Sequence, residues 1–385
     1  MDVLLLMPYM PYPLSSGPIG VACNTIEGFV KINHRMEKED IKIHVLSSEG
    51  RSLQSITDNN KKNCSSLSID YFSSVKPISL TSDLMYFRHL LHKRHVIDIV
   101  HSHNIYGAFC STSLKIPTIM TLHGILWKER EFAPNYYSKL VYDMETVRFK
   151  YSLRKLNKIV AISPYVVEEL RRISKHPFIE EIIENPISDA FFDVSKHEEE
   201  NFILAPGVIS QRKNQFALLK VANALKSDGI SFKLVFTGGV KDYDYFKSLK
   251  HYVSNNNLGT NVYFKGEVTF PELLNYYSKA SLLTLISKQE TAPMVISEAM
   301  ATGTPVVTSN IAGIPYMVRD EEHGFLVDPD NVQQIAKKIC TLLDDKSLRR
   351  CMGDKARVLA KKRWKNEIIA NKLLDLYLSF NCPRS

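Results

Sequence analysis

Short runs of apolar, β-branched residues alternate along the chain with longer stretches whose apolar positions recur at helical spacing. Val3–Met7, Ile41–Leu46, Ile97–His101, Thr118–Leu122 and Lys158–Ile162 read as buried strands. Val21–Lys31 and Tyr136–Leu156 between them carry the helical period. A second series follows, with strands at Phe202–Ala205, Lys233–Thr237, Val262–Lys265, Ser281–Ile286 and Pro305–Ser309. Its helices are Gln215–Leu225, Asp242–Asn255, Pro271–Tyr277 and Met294–Ala301. Alternation that occurs twice predicts an α/β protein of two doubly wound domains, each on a mostly parallel sheet. The boundary is expected within Asn185–Asn201, giving domains over 1–190 and 191–363. The charged run Lys196-His197-Glu198-Glu199-Glu200 there reads as a solvated linker face. The last amphipathic helix, roughly Trp364–Phe380, could pack on either domain, including a return of 364–385 onto the first.

Composition narrows the class without naming a chemistry. With 385 residues, 44% of them apolar and 23% charged, the chain can bury full cores. Disordered, collagenous and disulfide-dense proteins are excluded. The net charge of +8 is spread over both halves, with no basic arm interleaved with aromatics, which argues against nucleic acid as a partner. One local excess stands out: Arg148, Lys150, Arg154, Lys155, Lys158, Arg171, Arg172 and Lys175 against only Glu168 and Glu169. It reads either as a solvated helix or as a contact for anionic lipid headgroups. The six cysteines are scattered, as free thiols of a reducing compartment would be. Pro8 cuts short the N-terminal apolar run, no basic segment precedes it, and no apolar run of 18 occurs elsewhere. A cytoplasmic protein is expected, with peripheral contact at the inner face of a membrane left open.

In open α/β sheets ligands sit beyond the carboxyl ends of the strands, so the residues after each strand hold the candidate chemistry. The strongest signal follows Ser281–Ile286. Glu290 lies in a strand-to-helix loop, Pro293 suits the first helical turn, and Glu298 lies one to two turns into the helix. The free amides within Thr291–Met294, those of Thr291, Ala292 and Met294, would face the ligand at a helix N-terminus. Two carboxylates so spaced suit a ligand with several hydroxyls. After Phe202–Ala205 comes Gly207, then Arg212 and Lys213 at a helix start, a phosphate site in kind. Gly238 ends the next strand and permits close backbone approach. In the first domain, Ser15-Ser16-Gly17-Pro18-Ile19-Gly20 resembles a phosphate-cradling loop but matches neither GxGxxG nor GxxxxGK[ST]. His101, His103 and His123 stand at strand ends, where a ring nitrogen can donate to a hydroxyl or phosphate. Zinc at His101 and His103 is disfavoured because no acidic or Cys partner has ligand spacing.

Glu290 to Glu298 followed by Ala-Met-Ala-x-Gly-x-Pro-Val-Val resembles the signature of the retaining glycosyltransferases of family four, which have the GT-B fold. Asp98-Ile99-Val100-His101-Ser102-His103 resembles the family's "pDiiHaH" and Thr121-Leu122-His123-Gly124 its "tvHg". Ala161-Ile162-Ser163, Lys265-Gly266-Glu267-Val268 and Gly324-Phe325-Leu326-Val327 are similar to its "avS", "f.G.v" and "Gflv". The resemblance runs nearly end to end. It implies two Rossmann-like domains facing across a cleft, the first on the acceptor side and the second binding the donor. It further implies transfer of a sugar from a nucleotide-diphosphate sugar to an acceptor hydroxyl with retention, without a metal or other cofactor. Glu290 would then hold sugar hydroxyls, Glu298 the ribose, and Lys213 with Arg212 the diphosphate. His123 would line the acceptor side and Gly20 a loop near the diphosphate, while Gly207, Gly238 and the segment Thr291–Val295 would complete the donor site. A glycan or lipid-linked acceptor of cell-surface polysaccharide, lipopolysaccharide or glycolipid assembly is the implied partner. Three departures are visible: Val208 where the family has Arg, Gly17-Pro18-Ile19-Gly20 in place of a glycine pair, and Asn185-Pro186 in place of Asn-Gly. The alternatives are a weak or inactive GT-B protein that binds a sugar nucleotide or partner, and a nucleotide-sugar epimerase.

Overall fold

The computed structural model describes residues 1–7, 18–48, 64–72, 79–93, 95–174, 177–197 and 201–380. They form two compact units, Met1–Pro186 with Lys365–Ser385, and Ile187–Trp364. The first unit runs β1 (Asp2–Met7), α1 (Pro18–Lys31), α2 (Asn33–Lys38), β2 (Lys42–Ser48), β3 (Leu67–Phe72), α3 (Ser79–Lys93) and β4 (Ile99–Ser102). It continues α4 (Ile105–Ser113), β5 (Thr118–Leu122), α5 (Leu126–Glu129), α6 (Tyr136–Leu153), β6 (Lys158–Ala161), α7 (Pro164–Ile173) and β7 (Glu180–Ile182). All its strand pairs are parallel, in the order β3-β2-β1-β4-β5-β6-β7. Val3 to Met7 are buried without a break, as a parallel strand covered on both faces requires.

The second unit repeats the plan. It runs β8 (Phe202–Pro206), α8 (Gln215–Ser227), β9 (Lys233–Thr237), α9 (Tyr243–Asn255), β10 (Val262–Phe264), α10 (Phe270–Lys279) and β11 (Leu282–Leu285). Then come α11 (Met294–Ala301), β12 (Val306–Ser309), β13 (Gly324–Val327), α12 (Val332–Asp344) and α13 (Lys346–Arg363). Its parallel sheet has the order β10-β9-β8-β11-β12-β13. Both sheets reverse strand order beside their first strand, at β1/β4 and β8/β11, which is where doubly wound folds bind ligands. Side-chain caps set several helix starts: Asn104 accepts from the Gly107 amide at 2.7 Å and Asn135 from the Ser138 amide at 2.8 Å.

The segment expected to be a solvated linker is partly packed. Phe191 and Phe192 are buried, and Lys196 Nζ donates to Tyr277 O at 3.0 Å, Ala280 O at 2.6 Å and Thr304 Oγ1 at 2.9 Å. Carbonyls at the end of α10 need a cation there, and Lys196 supplies it. Glu198 to Glu200 lie outside the described residues. The chain then divides near its end. Trp364 is buried in the second unit, and α14 (Asn366–Leu378) packs on the first, against α1. Gly28 makes this possible, since a Cβ there would lie 2.5 Å from Asn366 O. Arg35 fixes the outer edge through Asn371 at 2.6 Å and through Asp375. Cys23, Cys64, Cys110, Cys340 and Cys351 are free thiols, and Cys382 lies outside the described residues. Among the described residues no helix is long and apolar enough to cross a membrane.

Candidate functional site

At the β8/β11 reversal, three predicted residues form one ionic cluster. A single helical turn, Gln211–Lys213, follows Gly207, and Asn214 adopts φ 52°, which starts α8 in a new direction. Lys213 Nζ lies 2.7 Å and Arg212 Nη1 3.2 Å from Glu290 Oε1. Arg212 also donates to Gln289 O at 2.7 Å, and the Lys288 amide donates to Arg212 O at 2.8 Å. The β8–α8 and β11–α11 loops are thus tied together by charge and by backbone. Burial alone would raise the Glu290 carboxyl, but Lys213 and Arg212 outweigh it and hold the group below the usual carboxylate range. Gly238 closes the floor. It has φ 127°, and a Cβ there would lie 2.5 Å from Gly207 O, so only glycine fits. The Gly207 amide donates to Thr237 O and the Lys213 side chain passes over Gly207. Val208 is exposed at 40%, with its apolar side chain outward beside this cluster.

The Glu290 loop is braced from β12 and from the segment after it. Thr308 and Ser309 hydroxyls donate to Leu285 O at 2.8 Å and Ser287 O at 2.7 Å, and the Gly313 amide donates to Glu290 O at 2.9 Å. A Cβ at Gly313 would lie 1.7 Å from Thr291 O, so the two segments touch through backbone alone. Pro293, expected in the first helical turn, is instead the N-cap residue of α11, with ψ 118°. Its missing N–H costs nothing at either position, so the sequence does not separate the two. The first i→i+3 bond of α11 runs from the Ile296 amide to Pro293 O, which leaves the amides of Met294 and Val295 at the open N-terminal end. Glu298 is 3% exposed and accepts from Tyr277 Oη at 2.7 Å. Burial pushes its carboxyl up to about 7, against the Tyr277 hydrogen bond that pulls it down.

In the first unit, His101, His103 and His123 form a row across the ends of β4 and β5. Their rings lie 4.6 Å and 5.1 Å apart, and His103 Nδ1 is 2.9 Å from His123 Nε2. His101, expected to face a ligand, is fully buried with both nitrogens taken, by Tyr377 Oη at 2.7 Å and Thr121 Oγ1 at 2.7 Å. It stands inside β4, one residue before the strand ends, so its side chain enters the core and joins α14 to the sheet. Burial, with the charge of His123, pushes His101 down to about 3. Burial takes His123 to about 4, with the Asn185 side chain opposing. All three are neutral imidazoles at pH 7. Gly20, expected in a loop, lies in the first turn of α1, because Pro18 starts that helix with its preset φ. Ser15, Ser16 and Gly17 lie outside the described residues. No group of three His, Cys, Asp or Glu side chains among the described residues is placed to hold a metal ion.

Comparison with known proteins adds the family. The family model for glycosyl transferases group 1 matches residues 187–359, and that for glycosyltransferase family 4 matches residues 31–190. The chain belongs to the group 1 glycosyltransferases. It is 26% identical over 365 residues to an uncharacterized glycosyltransferase of Methanocaldococcus jannaschii, covering 93% of each chain. It is 30% identical over 246 residues to the O-antigen chain mannosyltransferase RfbU of Salmonella typhimurium, covering 60% of this chain and 66% of that one. The crystal structure of Anabaena HepE in complex with UDP and glucose superposes with TM-score 0.76 at 18% identity, over 99% of this chain and 100% of that one. The fold of this glycosyltransferase is therefore GT-B, with two Rossmann-like domains.

Four contacts in the glycosyltransferase lay beyond sequence reasoning. Tyr277 fixes Glu298, Gly313 clamps the Glu290 loop, Asn185 faces His123, and Tyr377 holds His101. Asn185 stands in a motif position and Gly313 in a small-residue turn, so each carried a faint signal. Tyr277 and Tyr377 read as ordinary helix-core residues and carried none.

Proposed function

We propose that this glycosyltransferase moves a sugar, with retention and without a metal, from a nucleotide-diphosphate sugar to a glycan or lipid-linked acceptor in polysaccharide or glycolipid assembly. The observation that carries it is the convergence of Lys213, Arg212 and Glu290 at the strand-order reversal of the second unit, beside the N-terminus of α11. In this reading Lys213 and Arg212 stabilise the charge that grows on the departing diphosphate, a preorganised term of several kcal/mol. The cations are already held in place by Glu290 and Gln289 O, and the Arg212 backbone by the Lys288 amide, so little reorganisation precedes reaction. Glu290, ionised at neutral pH, accepts from sugar hydroxyls and is not the nucleophile. The amides of Met294 and Val295 receive an oxygen of the sugar, and Glu298 the ribose hydroxyls. Displacement occurs on one face, with an oxygen of the leaving diphosphate taking the acceptor proton. His123 is neutral and offers a ring nitrogen to the acceptor side.

The UDP in the HepE structure and the mannosyltransferase among the relatives support a nucleotide-diphosphate donor and a cell-surface glycan product. An epimerase is not favoured: the strand ends of β4 and β5 carry histidines where such an enzyme needs acid and base carboxylates. The test is thermal melting with UDP, GDP, ADP and CMP. One diphosphate should raise the melting temperature, by the equivalent of about 2.7 kcal/mol at 100 times its dissociation constant. The proton spectrum of the first-formed product then reads the anomeric configuration. Stabilisation by none of the four, or an inverted anomer, overturns the corresponding part of the proposal.

A further inference from the structure

Helix α6 has two apolar sides, and only one of them is buried. Phe149 and Leu153 enter the core of the first unit. On the opposite side Tyr136, Tyr137, Leu140, Met144, Val147 and Tyr151 are exposed, Tyr136 at 81% and Val147 at 68%. At 3.6 residues per turn these six fall within an arc of about 100°, centred roughly opposite Phe149 and Leu153. Six large apolar side chains in one stripe along an 18-residue helix are not scattered surface residues.

The charges around the stripe decide what covers it. Of the basic residues between Arg148 and Lys175, Arg171 pairs with Glu180 at 2.6 Å, Arg172 with Glu169, and Lys158 with Glu181 at 3.2 Å. Lys175 lies outside the described residues. The exposed remainder, Lys150, Arg154 and Lys155, belongs to the last turn of α6 and the residues after it, with Lys155 over the Tyr151 ring at 3.9 Å. The acids of α6 are engaged elsewhere, Asp143 by Arg130 at 2.9 Å and Glu145 by the Tyr106 hydroxyl at 2.6 Å. An apolar stripe tipped by tyrosines and flanked by positive charge complements an anionic lipid surface. A second copy of the chain would bring those same charges together.

We infer that the exposed face of α6 is a membrane-docking surface, lying in the interface of an anionic bilayer with Tyr136, Leu140, Met144 and Val147 inserted. Helix α6 belongs to the crossover between the parallel strands β5 and β6, which returns the chain from the carboxyl end of β5 to the amino end of β6, so its Tyr136 end comes first, toward the edge where His123 stands. The docked helix would present a lipid-linked acceptor to that edge, a consequence that rests on the proposed function. The docking itself does not.

The test is co-flotation of the full chain with phosphatidylcholine vesicles, with and without phosphatidylglycerol. Wild type should float with the anionic vesicles, less at high salt. Tyr136→Ser/Leu140→Gln/Val147→Gln should lose on the order of tenfold or more in partitioning, and Lys150→Gln/Lys155→Gln on the order of tenfold on anionic vesicles alone. Circular dichroism and the nucleotide-induced melting shift, unchanged in both variants, establish that they fold. Flotation by the stripe variant equal to wild type, or none by wild type, overturns the inference. So does a wild-type dimer that the stripe variant dissolves. Flotation with no nucleotide response would instead sink the proposed function and leave this surface standing.

Discussion

Lys213 Nζ lies 2.7 Å from Glu290 Oε1, and both side chains are nearly buried, at 11% and 7% exposure. Breaking such a pair strands a charge, which costs about 3–5 kcal/mol. Lys213→Met should therefore destabilise the second unit by up to that much, with Arg212 at 3.2 Å keeping part of the pairing, and abolish the nucleotide-induced melting shift. The pH dependence carries a sign. Glu290 is held below the ordinary carboxylate range, so its stabilisation is complete above the unfolded value of about 4.3 and fades as pH falls below it. Glu290→Gln should lack that acid-side loss, and its melting curve should converge on wild type in acid. A Lys213→Met loss below about 1 kcal/mol, the worth of an exposed pair, would count against the cluster.

Glu298 titrates the other way. Burial, only partly offset by the Tyr277 hydroxyl, pushes its carboxyl up to about 7. The folded state therefore holds this proton longer than the unfolded chain does. Stability from this group is full below about pH 4.5 and is lost as pH rises through about 7, on the order of 3 kcal/mol in all. Glu298→Gln keeps an acceptor for Tyr277 and removes the ionisation. It should melt with wild type near pH 4.5 and above it at pH 8. Equal melting temperatures at both pH values would show that Glu298 is already ionised without penalty, and solvated.

How much of this was legible in the sequence depends on the range of the interaction. Strand Lys233–Thr237 and helix Met294–Ala301 match the structure residue for residue, because periodicity and flanking Gly or Pro are local signals. Strands β3, β7 and β13 escaped. Glu180–Ile182 is three residues with two acids, and it is a strand because β6 offers an edge. The Lys196 run looked solvated because its charge was visible, while the carbonyls of Tyr277 and Ala280 that it caps lie about eighty residues on. Glu290, Lys213 and Arg212 were nameable from type and loop position. Their union in one ionic cluster was not, since it depends on β8 and β11 being neighbours.

Val208 is 40% exposed just beyond β8 and follows Gly207, over which the Lys213 side chain passes. The family resemblance places an arginine there. Val208→Arg removes an exposed valine and adds a donor fork at the edge of the proposed diphosphate site. It should tighten UDP or GDP binding up to tenfold by titration calorimetry, about 1.4 kcal/mol, with the gain shrinking at high salt. Arg212→Gln should weaken binding, and Val208→Arg should restore part of that loss. If Val208→Arg changes neither background, the diphosphate does not approach this edge.

A fully buried polar contact joins the C-terminal helix to the core of the first unit. His101 Nδ1 and Tyr377 Oη are 2.7 Å apart, both fully buried, while Thr121 takes the other ring nitrogen. Tyr377→Phe preserves the packing on Phe29 and leaves His101 Nδ1 without its partner. A buried polar atom so stranded costs about 1–3 kcal/mol. The first unit should lose that much stability, with amide exchange rising in α14 and β4. His101 cannot recover the loss by protonating, because burial has already pushed it down to about 3. The deficit should therefore be flat from pH 5 to pH 8. Nucleotide binding should not change, because Lys213 and Arg212, which hold the diphosphate in the proposed function, belong to the second unit. A loss of nucleotide affinity in Tyr377→Phe at full stability would mean that α14 reports to the donor site, and the division of labour between the two units would have to be redrawn.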